Sequence, residues 1–298
     1  MDGILNVYKE QGYTSFDVVA KLRGILKQKK IGHTGTLDPM AEGVLMVCLG
    51  KATKLVDMLT MDSKEYKTIL LLGKTTDTDD ITGSVLNTSS VDFYKDEILS
   101  VINSFVGKYN QLPPMYSAIK INGKKLYEYA RAGVEVERTK RPVEIFSIDN
   151  IQINIPYVSF DVKCSKGTYI RSLCRDIGEK LGCGGTMQAL IRNKVHNFSV
   201  SDALKIDEIK DYVENGTIND HILPIDSILN EYPQVTIKEQ YSSLLRNGNK
   251  LTPKCFKNIS CDLINNGTII RVYDGSCFLA LYIYDECDTM FKPYKMFL

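Results

Sequence analysis

At 298 residues, with 44% hydrophobic and 24% charged side chains, the chain has the makeup of an ordinary globular protein, long enough for one large domain plus a small one. No run approaches the roughly 18 consecutive apolar residues of a membrane span, and the first eight residues lack the basic-then-apolar pattern of a secretory signal. A cytoplasmic protein without a membrane partner is expected. The net charge of +1 conceals segregation: residues 108–142 carry eight Lys/Arg against three acids, 163–194 seven against two, and 200–229 two against seven. Such blocks fit either a localised polyanion-binding face or a set of solvated loops, and charge by itself does not choose.

Taken in chain order, Phe16, Val18, Val19, Leu22, Ile25 and Leu26 recur at helical spacing. Ser15 is placed to cap that helix, with Asp17 at its positive end and Lys27 to Lys30 at its negative end. A glycine-punctuated loop, 32–43, leads into an apolar strand at 44–49. A second strand is predicted over 66–72, then a polar loop over 73–83 and a helix within 92–106. Pro113 and Pro114 force an extended segment. Residues 157–164 alternate strictly, with Val158, Phe160, Val162 and Cys164 on one face of a half-buried strand. A turn at 165–167 precedes a helix marked by Ile170, Leu173, Cys174, Ile177 and Leu181, which Gly182 is suited to end.

Strands and helices interleave without regular βαβ spacing, so the expected class is α/β (α+β), a mixed and largely antiparallel sheet flanked by helices. From about residue 230 short strands dominate, at 269–273, 277–284 and 290–297. Two domains, 1–229 and 230–298, are expected, with the acidic segment 202–226 as connector.

The eight cysteines contain no Cys-x-x-Cys pair and the chain has three histidines, so neither a disulfide framework nor a zinc site is expected. Asp77, Asp79 and Asp80 form an acidic cluster, but no Glu stands at the twelfth position of a Ca²⁺ loop. Turn chemistry is expected there, and no metal or other cofactor.

Four segments could carry chemistry. In Gly32-His33-Thr34-Gly35-Thr36-Leu37-Asp38-Pro39 the proline biases Asp38 away from helical geometry and the glycines permit close approach of a ligand; a turn-capping aspartate fits as well. Tyr66, flanked by Lys64 and Lys67, suits a base-stacking platform or an ordinary sheet position. In Lys166-Gly167-Thr168-Tyr169-Ile170-Arg171-Ser172-Leu173, Arg171 stands at a helix N-terminus, where the dipole does not favour a cation. It needs a carboxylate or phosphate partner, unless it is simply exposed. Finally, residues 113–142 interleave Lys120, Lys124, Lys125, Arg131, Lys140 and Arg141 with Tyr116, Tyr127 and Tyr129, a pattern suited to nucleic acid.

Taken together, these segments resemble the TruB family of tRNA pseudouridine synthases. The likeness begins at residues 6–15 and continues through 32–43, Lys64-Glu65-Tyr66, 73–83, 113–131 and 164–176. Glu10-Gln11 departs from the family's proline before glycine, and Leu190-Ile191-Arg192 resembles its Leu-x-Arg near the target base. The resemblance implies isomerisation of uridine 55 in the TΨC loop without a cofactor: the base is flipped out, detached, rotated and rejoined through C5. It implies Asp38 as nucleophile, Tyr66 as the stacking residue that handles the C5 proton, Arg171 as the partner of Asp38, and Tyr169 and Leu190 as pocket residues. His33, Lys9, Lys64, Lys120, Lys124, Lys125, Arg131, Lys140 and Arg141 are the expected RNA contacts. The last 70 residues resemble a degenerate PUA domain.

A guide-RNA-dependent synthase of the dyskerin type shares these motifs, and a tRNA-folding chaperone is a third reading. Met1 close to the first motif and the stop at Leu298 favour a stand-alone monomer needing tRNA and no obligatory protein partner.

Overall fold

The computed structural model describes residues 1–60, 63–257 and 259–298. Nine strands form one sheet. Its main path runs Gly3–Lys9, Glu42–Leu49, Gly185–Val195, Lys64–Leu72, Tyr157–Cys164, Arg141–Asn154, Gly107–Gln111. Ile31–Thr34 pairs beside Glu42–Leu49, and Phe198–Ser199 beside Gly185–Val195. Every pairing is antiparallel except that of Glu42–Leu49 with Gly185–Val195. The mixed, largely antiparallel α/β sheet read from the sequence is the one that forms.

Alternation decides what each strand buries. In Glu42–Leu49 both faces are covered: Val44, Met46 and Cys48 join one apolar cluster, and Leu45, Val47 and Leu49 another. This explains a continuous apolar run without alternation. Tyr157–Cys164 buries Val158, Phe160, Val162 and Cys164 as its period predicts, packed with Leu173 and Ile177 of the helix Ile170–Leu181. That helix ends where expected, with Gly182 in the left-handed region (φ 84°).

Three local expectations need correction. Helix Ser15–Ile25 is capped by Thr14, whose hydroxyl accepts from Asp17 N while Asp17 accepts from Thr14 N. Ser15 is instead buried, and its hydroxyl accepts from Leu37 N (2.9 Å), tying the helix start to the loop before Asp38. The loop predicted over 32–43 opens as strand Ile31–Thr34. The segment 202–226 is no bare connector. It contains helix Ile206–Glu214, whose Ile206 and Ile209 pack with Leu22 and Val7, and Leu223 exchanges two backbone hydrogen bonds with Ile4.

A second sheet follows, ordered Phe256–Lys257, Gln234–Ile237, Ile269–Asp274, Cys277–Asp285, Met290–Met296. It has its own core around Val235, Leu245, Val272, Tyr282 and Phe291. Leu281 and Phe297 reach out of it to pack with Ile4 and Met46 of the large sheet and with Leu55 and Ile228 from short helical turns beside it. Two polar contacts reinforce that seat: Tyr273 donates to Asp226 (2.6 Å) and Lys54 to the Met296 carbonyl (2.6 Å). All eight cysteines are free thiols, five of them buried.

Candidate active site

A cleft of about 890 Å³ opens over the middle of the large sheet. The loop 35–38, the start of strand Lys64–Leu72, the turn before helix Ile170–Leu181, and residues Leu190 and Arg192 line it. Asp38, Tyr66, Tyr169, Arg171 and Leu190, far apart in the sequence, thus share one cavity. Lys64 and Arg141 line it too.

The Asp38 carboxylate keeps 36% exposure, directed into the cleft. Arg171 grips it in two places, with Nε 2.9 Å from Oδ2 and Nη2 donating to Oδ1 at 3.2 Å. Arg171 is buried at the helix start, so the alternative of an idle exposed arginine is excluded. It is held in turn by the carbonyls of Tyr116 (2.7 Å) and Thr78 (2.9 Å) and by Asp80, whose Oδ2 lies 3.6 Å from Nη1. Partners on several sides fix the guanidinium plane, and so the direction in which the carboxylate faces.

Burial raises the Asp38 pKa, and Arg171 is the largest influence drawing it back, aided by Lys9 and opposed by Asp80. The site therefore sets desolvation, which opposes ionisation, against a cation that favours it.

Tyr66 is buried with its ring in the cleft, and burial pushes its phenol up to about 12. Tyr169 is fixed through its backbone: its N–H donates to Gln111 Oε1 (2.8 Å) and its carbonyl accepts from Gln111 Nε2 (3.0 Å). Gln111 carries no motif signal in the sequence. Its role exists only because the strand Gly107–Gln111 ends beside the turn 165–169.

The acidic cluster is more than turn chemistry. Asp80 does organise its turn, accepting from Thr82 N (3.0 Å) and from the hydroxyls of Thr78 and Thr82. It also faces Arg171, while Asp79 pairs with Arg175 at 2.8 Å. Among the described residues no group of His, Cys, Asp and Glu is arranged to hold a metal ion.

The expected RNA contacts divide. Lys9 does not belong with them: it is fully buried, and its Nζ donates to the carbonyls of Glu10, Pro39 and Ala41. It braces the chain just after Asp38, and burial lowers its pKa to about 8. Lys64 is buried in the cleft wall and donates to Thr60 O. His33 is half-buried on strand Ile31–Thr34 and is not part of the cleft lining, and burial, then Arg192, lower its pKa.

Lys120, Lys124, Arg131, Lys140 and Arg141 are exposed, and Lys125 is partly so. Lys125 and Arg131 stand over the ring of Tyr127, which lines the cleft. Lys140 lines a separate polar cleft with Arg138 and Arg175.

Comparison with solved structures defines the class. The chain superimposes on "Crystal Structure of a Cbf5-Nop10-Gar1 Complex" with a TM-score of 0.75 and 27% identity, covering 99% of this chain and 85% of that one. For "Structure of H/ACA RNP bound to a substrate RNA containing 2'-deoxyuridine" the TM-score is 0.73 at 25% identity, with the same coverage. The family "TruB family pseudouridylate synthase (N terminal domain)" matches residues 23–170, and "tRNA pseudouridylate synthase B C-terminal domain" matches 171–230. Similar relatives include the tRNA pseudouridine synthases B of Clostridium kluyveri (47% identical) and Lachnoclostridium phytofermentans (51%), each aligned over the full length of both chains. The chain belongs to the TruB family of pseudouridylate synthases. The 170/171 division between the two family segments falls at the start of helix Ile170–Leu181, inside the large sheet's own fold, because strand Gly185–Val195 lies between two strands of the first segment.

Proposed function

We propose that the chain converts uridine 55 of the TΨC loop of tRNA to pseudouridine, acting by itself in the cytoplasm, with Asp38 as nucleophile. The supporting observation is the closed pair of Asp38 and Arg171 in the floor of a cleft walled by Tyr66, Tyr169 and Leu190. The nucleobase must leave its stack to reach that floor, and the two tyrosines offer replacement stacking surfaces. Arg171 keeps the carboxylate ionised for attack, and Tyr66 stands beside the pocket where the hydrogen leaves C5. The exposed lysines and arginines of 120–141 bind the phosphate backbone around the mouth. Residues 230–298 act as a PUA-like RNA-binding domain.

Among the described residues no helix is long and apolar enough to cross a membrane. The stand-alone reading is supported by full-length relatives named as tRNA enzymes at 47% and 51% identity, whereas the superimposable complexes stand at 25–27%. The test is to incubate the purified chain with an unmodified tRNA transcript and map the modified position. Formation at position 55 without other components is expected. Strict dependence on a guide RNA or a partner protein would overturn the reading.

A further inference from the structure

Two arginines, Arg171 and Arg192, are buried at the cleft, and a third, Arg175, is half-buried one helical turn from Arg171. Arg171 faces Asp38 and Asp80, and Arg175 faces Asp79, Asp176 and Glu179. Arg192 differs. It is 1% exposed, and among the described residues it has no carboxylate within ion-pair distance. Its Nε donates to the Val44 carbonyl (2.7 Å) and Nη2 to the Gly35 carbonyl (3.0 Å). The guanidinium borders the cleft that Tyr66 also lines, and its charge draws the Tyr66 phenol pKa down against the larger effect of burial.

Sheet register creates this placement. Arg192 pairs directly with Tyr66 on one side and with Gly43 on the other. Gly43 is needed there: with φ at 102°, a Cβ on it would lie 2.4 Å from the Arg192 carbonyl oxygen. A buried guanidinium without a carboxylate is unfavourable unless something offsets its charge. Two carbonyl dipoles do so in part.

We propose that Arg192 is a positioning residue for the C5 half of the isomerisation: pinned by the carbonyls of Val44 and Gly35, it fixes the Tyr66 phenol over the pocket and stabilises negative charge on its oxygen. This rests on the reading of the chain as a pseudouridine synthase. Isomerisation exchanges the C1′–N1 bond for a C1′–C5 bond, while C5 loses one hydrogen and N1 gains one, so no oxidant is needed. To take the C5 proton, the phenol oxygen must first release its own to solvent. The electron pair of the broken C5–H bond then closes the C5=C6 double bond, and the displaced pair settles on N1, which is protonated from solvent.

Burial and the Asp38 charge oppose an anion on Tyr66, and Arg192 favours one. An arginine has no acceptor, so it can only donate toward the phenol oxygen and leaves the pocket-facing lone pair free. The same guanidinium holds the Gly35 carbonyl, so the strand neighbour of Tyr66 is also tied to the loop that carries Asp38.

The test uses the full chain with Arg192→Lys and Arg192→Met, in single-turnover assays on tRNA carrying ordinary or 5-deuterated uridine. Affinity for tRNA should stay within about threefold of wild type, while the rate falls on the order of a hundredfold, within the range for losing proton-transfer assistance. A primary isotope effect at C5 should appear or grow, with Lys retaining more rate than Met. A fall in rate with an unchanged isotope effect would mean that Arg192 merely supports the loop at Gly35, and would overturn the proposal, as would unimpaired rates.

Should the buried variants unfold, ¹⁵N resonances of the Arg192 guanidinium are compared between wild type and Tyr66→Phe, which leaves the arginine in place. A shift confined to this arginine is expected; identical spectra would overturn the proposal. Absence of pseudouridine from the wild-type reaction would instead count against the enzymatic reading, so the two failures are distinguishable.

Discussion

The floor of the cleft and its basic flank contrast in how their charges are held. On the floor, Asp38, Arg171 and Asp80 are fixed by one another and by backbone carbonyls, with Arg171 only 4% exposed. On the flank, Lys120, Lys124, Lys140 and Arg141 are exposed and have no carboxylate within ion-pair distance among the described residues. Charges in a dry, over-determined setting act on reaction rate, because their geometry is paid for during folding. Charges on flexible exposed stems act on affinity through counterion release and carry little rate information.

The largest effect expected from breaking this contrast is at its centre. Asp38→Asn should abolish pseudouridine formation, read as hydrogen release from C5-labelled tRNA, while affinity stays within a few-fold; equal rates for wild type and variant would remove the nucleophile assignment. Tyr66→Ala and Tyr66→Phe should both lose most turnover, with Ala worse because the stacking surface goes as well. Unimpaired rates in both would exclude Tyr66 from the chemistry.

Arg171→Met comes next and tests the electrostatics. Leaving Asp38 and Asp80 without their buried partner should cost about 3–5 kcal/mol of stability, seen as a lower denaturation midpoint. Its pH signature is more telling. Burial raises the Asp38 pKa and Arg171 lowers it. The proposed attack needs the ionised form, so activity should be lost as pH falls through that raised value. Without Arg171 the acid limb should move to still higher pH. An unmoved limb would show that another group sets it.

On the flank, replacing Lys124, Lys125, Lys140 and Arg141 together should weaken binding and flatten the slope of log affinity against log salt by up to about 3, at roughly 0.7–0.9 for each phosphate no longer neutralised. The single-turnover rate at saturating protein should hold; a large drop there would erase the distinction between floor and flank. Smallest of all, Thr14→Ala should cost about 1 kcal/mol through loss of the helix cap, with no change in rate per folded molecule.

Much of this architecture is legible in the sequence. Apolar periodicity marks the strand at 157–164 and the helix from Ile170, because each pattern is local and its period reports the face that is buried. The ordered motifs lead to Asp38, Tyr66 and Arg171, and the need of Arg171 for a carboxylate is met by Asp38. Chemistry confined to one short segment reads less well. Serine at position 15 suits a helix cap, yet Thr14 one residue earlier is the one with Asp17 three residues ahead of it. A lysine near a motif is usually exposed and free to meet RNA, but at Lys9 the neighbouring Glu10 carbonyl and two carbonyls from the loop around Asp38 claim the ammonium instead.

The amino-acid sequence by itself determined the elements with clear apolar periodicity, the family and the residue types of the site, since these depend on local pattern and on motifs in order, whereas strands such as Gly185–Val195 and Arg141–Asn154 carry no such local mark. Only the tertiary structure decided which charges meet. Arg171 reaches Asp38 across 133 positions, Asp80 serves both its own turn and that arginine, and Arg192 stands without a carboxylate beside Tyr66. These pairings depend on strand order and register, and register is set by the whole sheet: a slip of one residue in Gly185–Val195 would turn Arg192 to the opposite face.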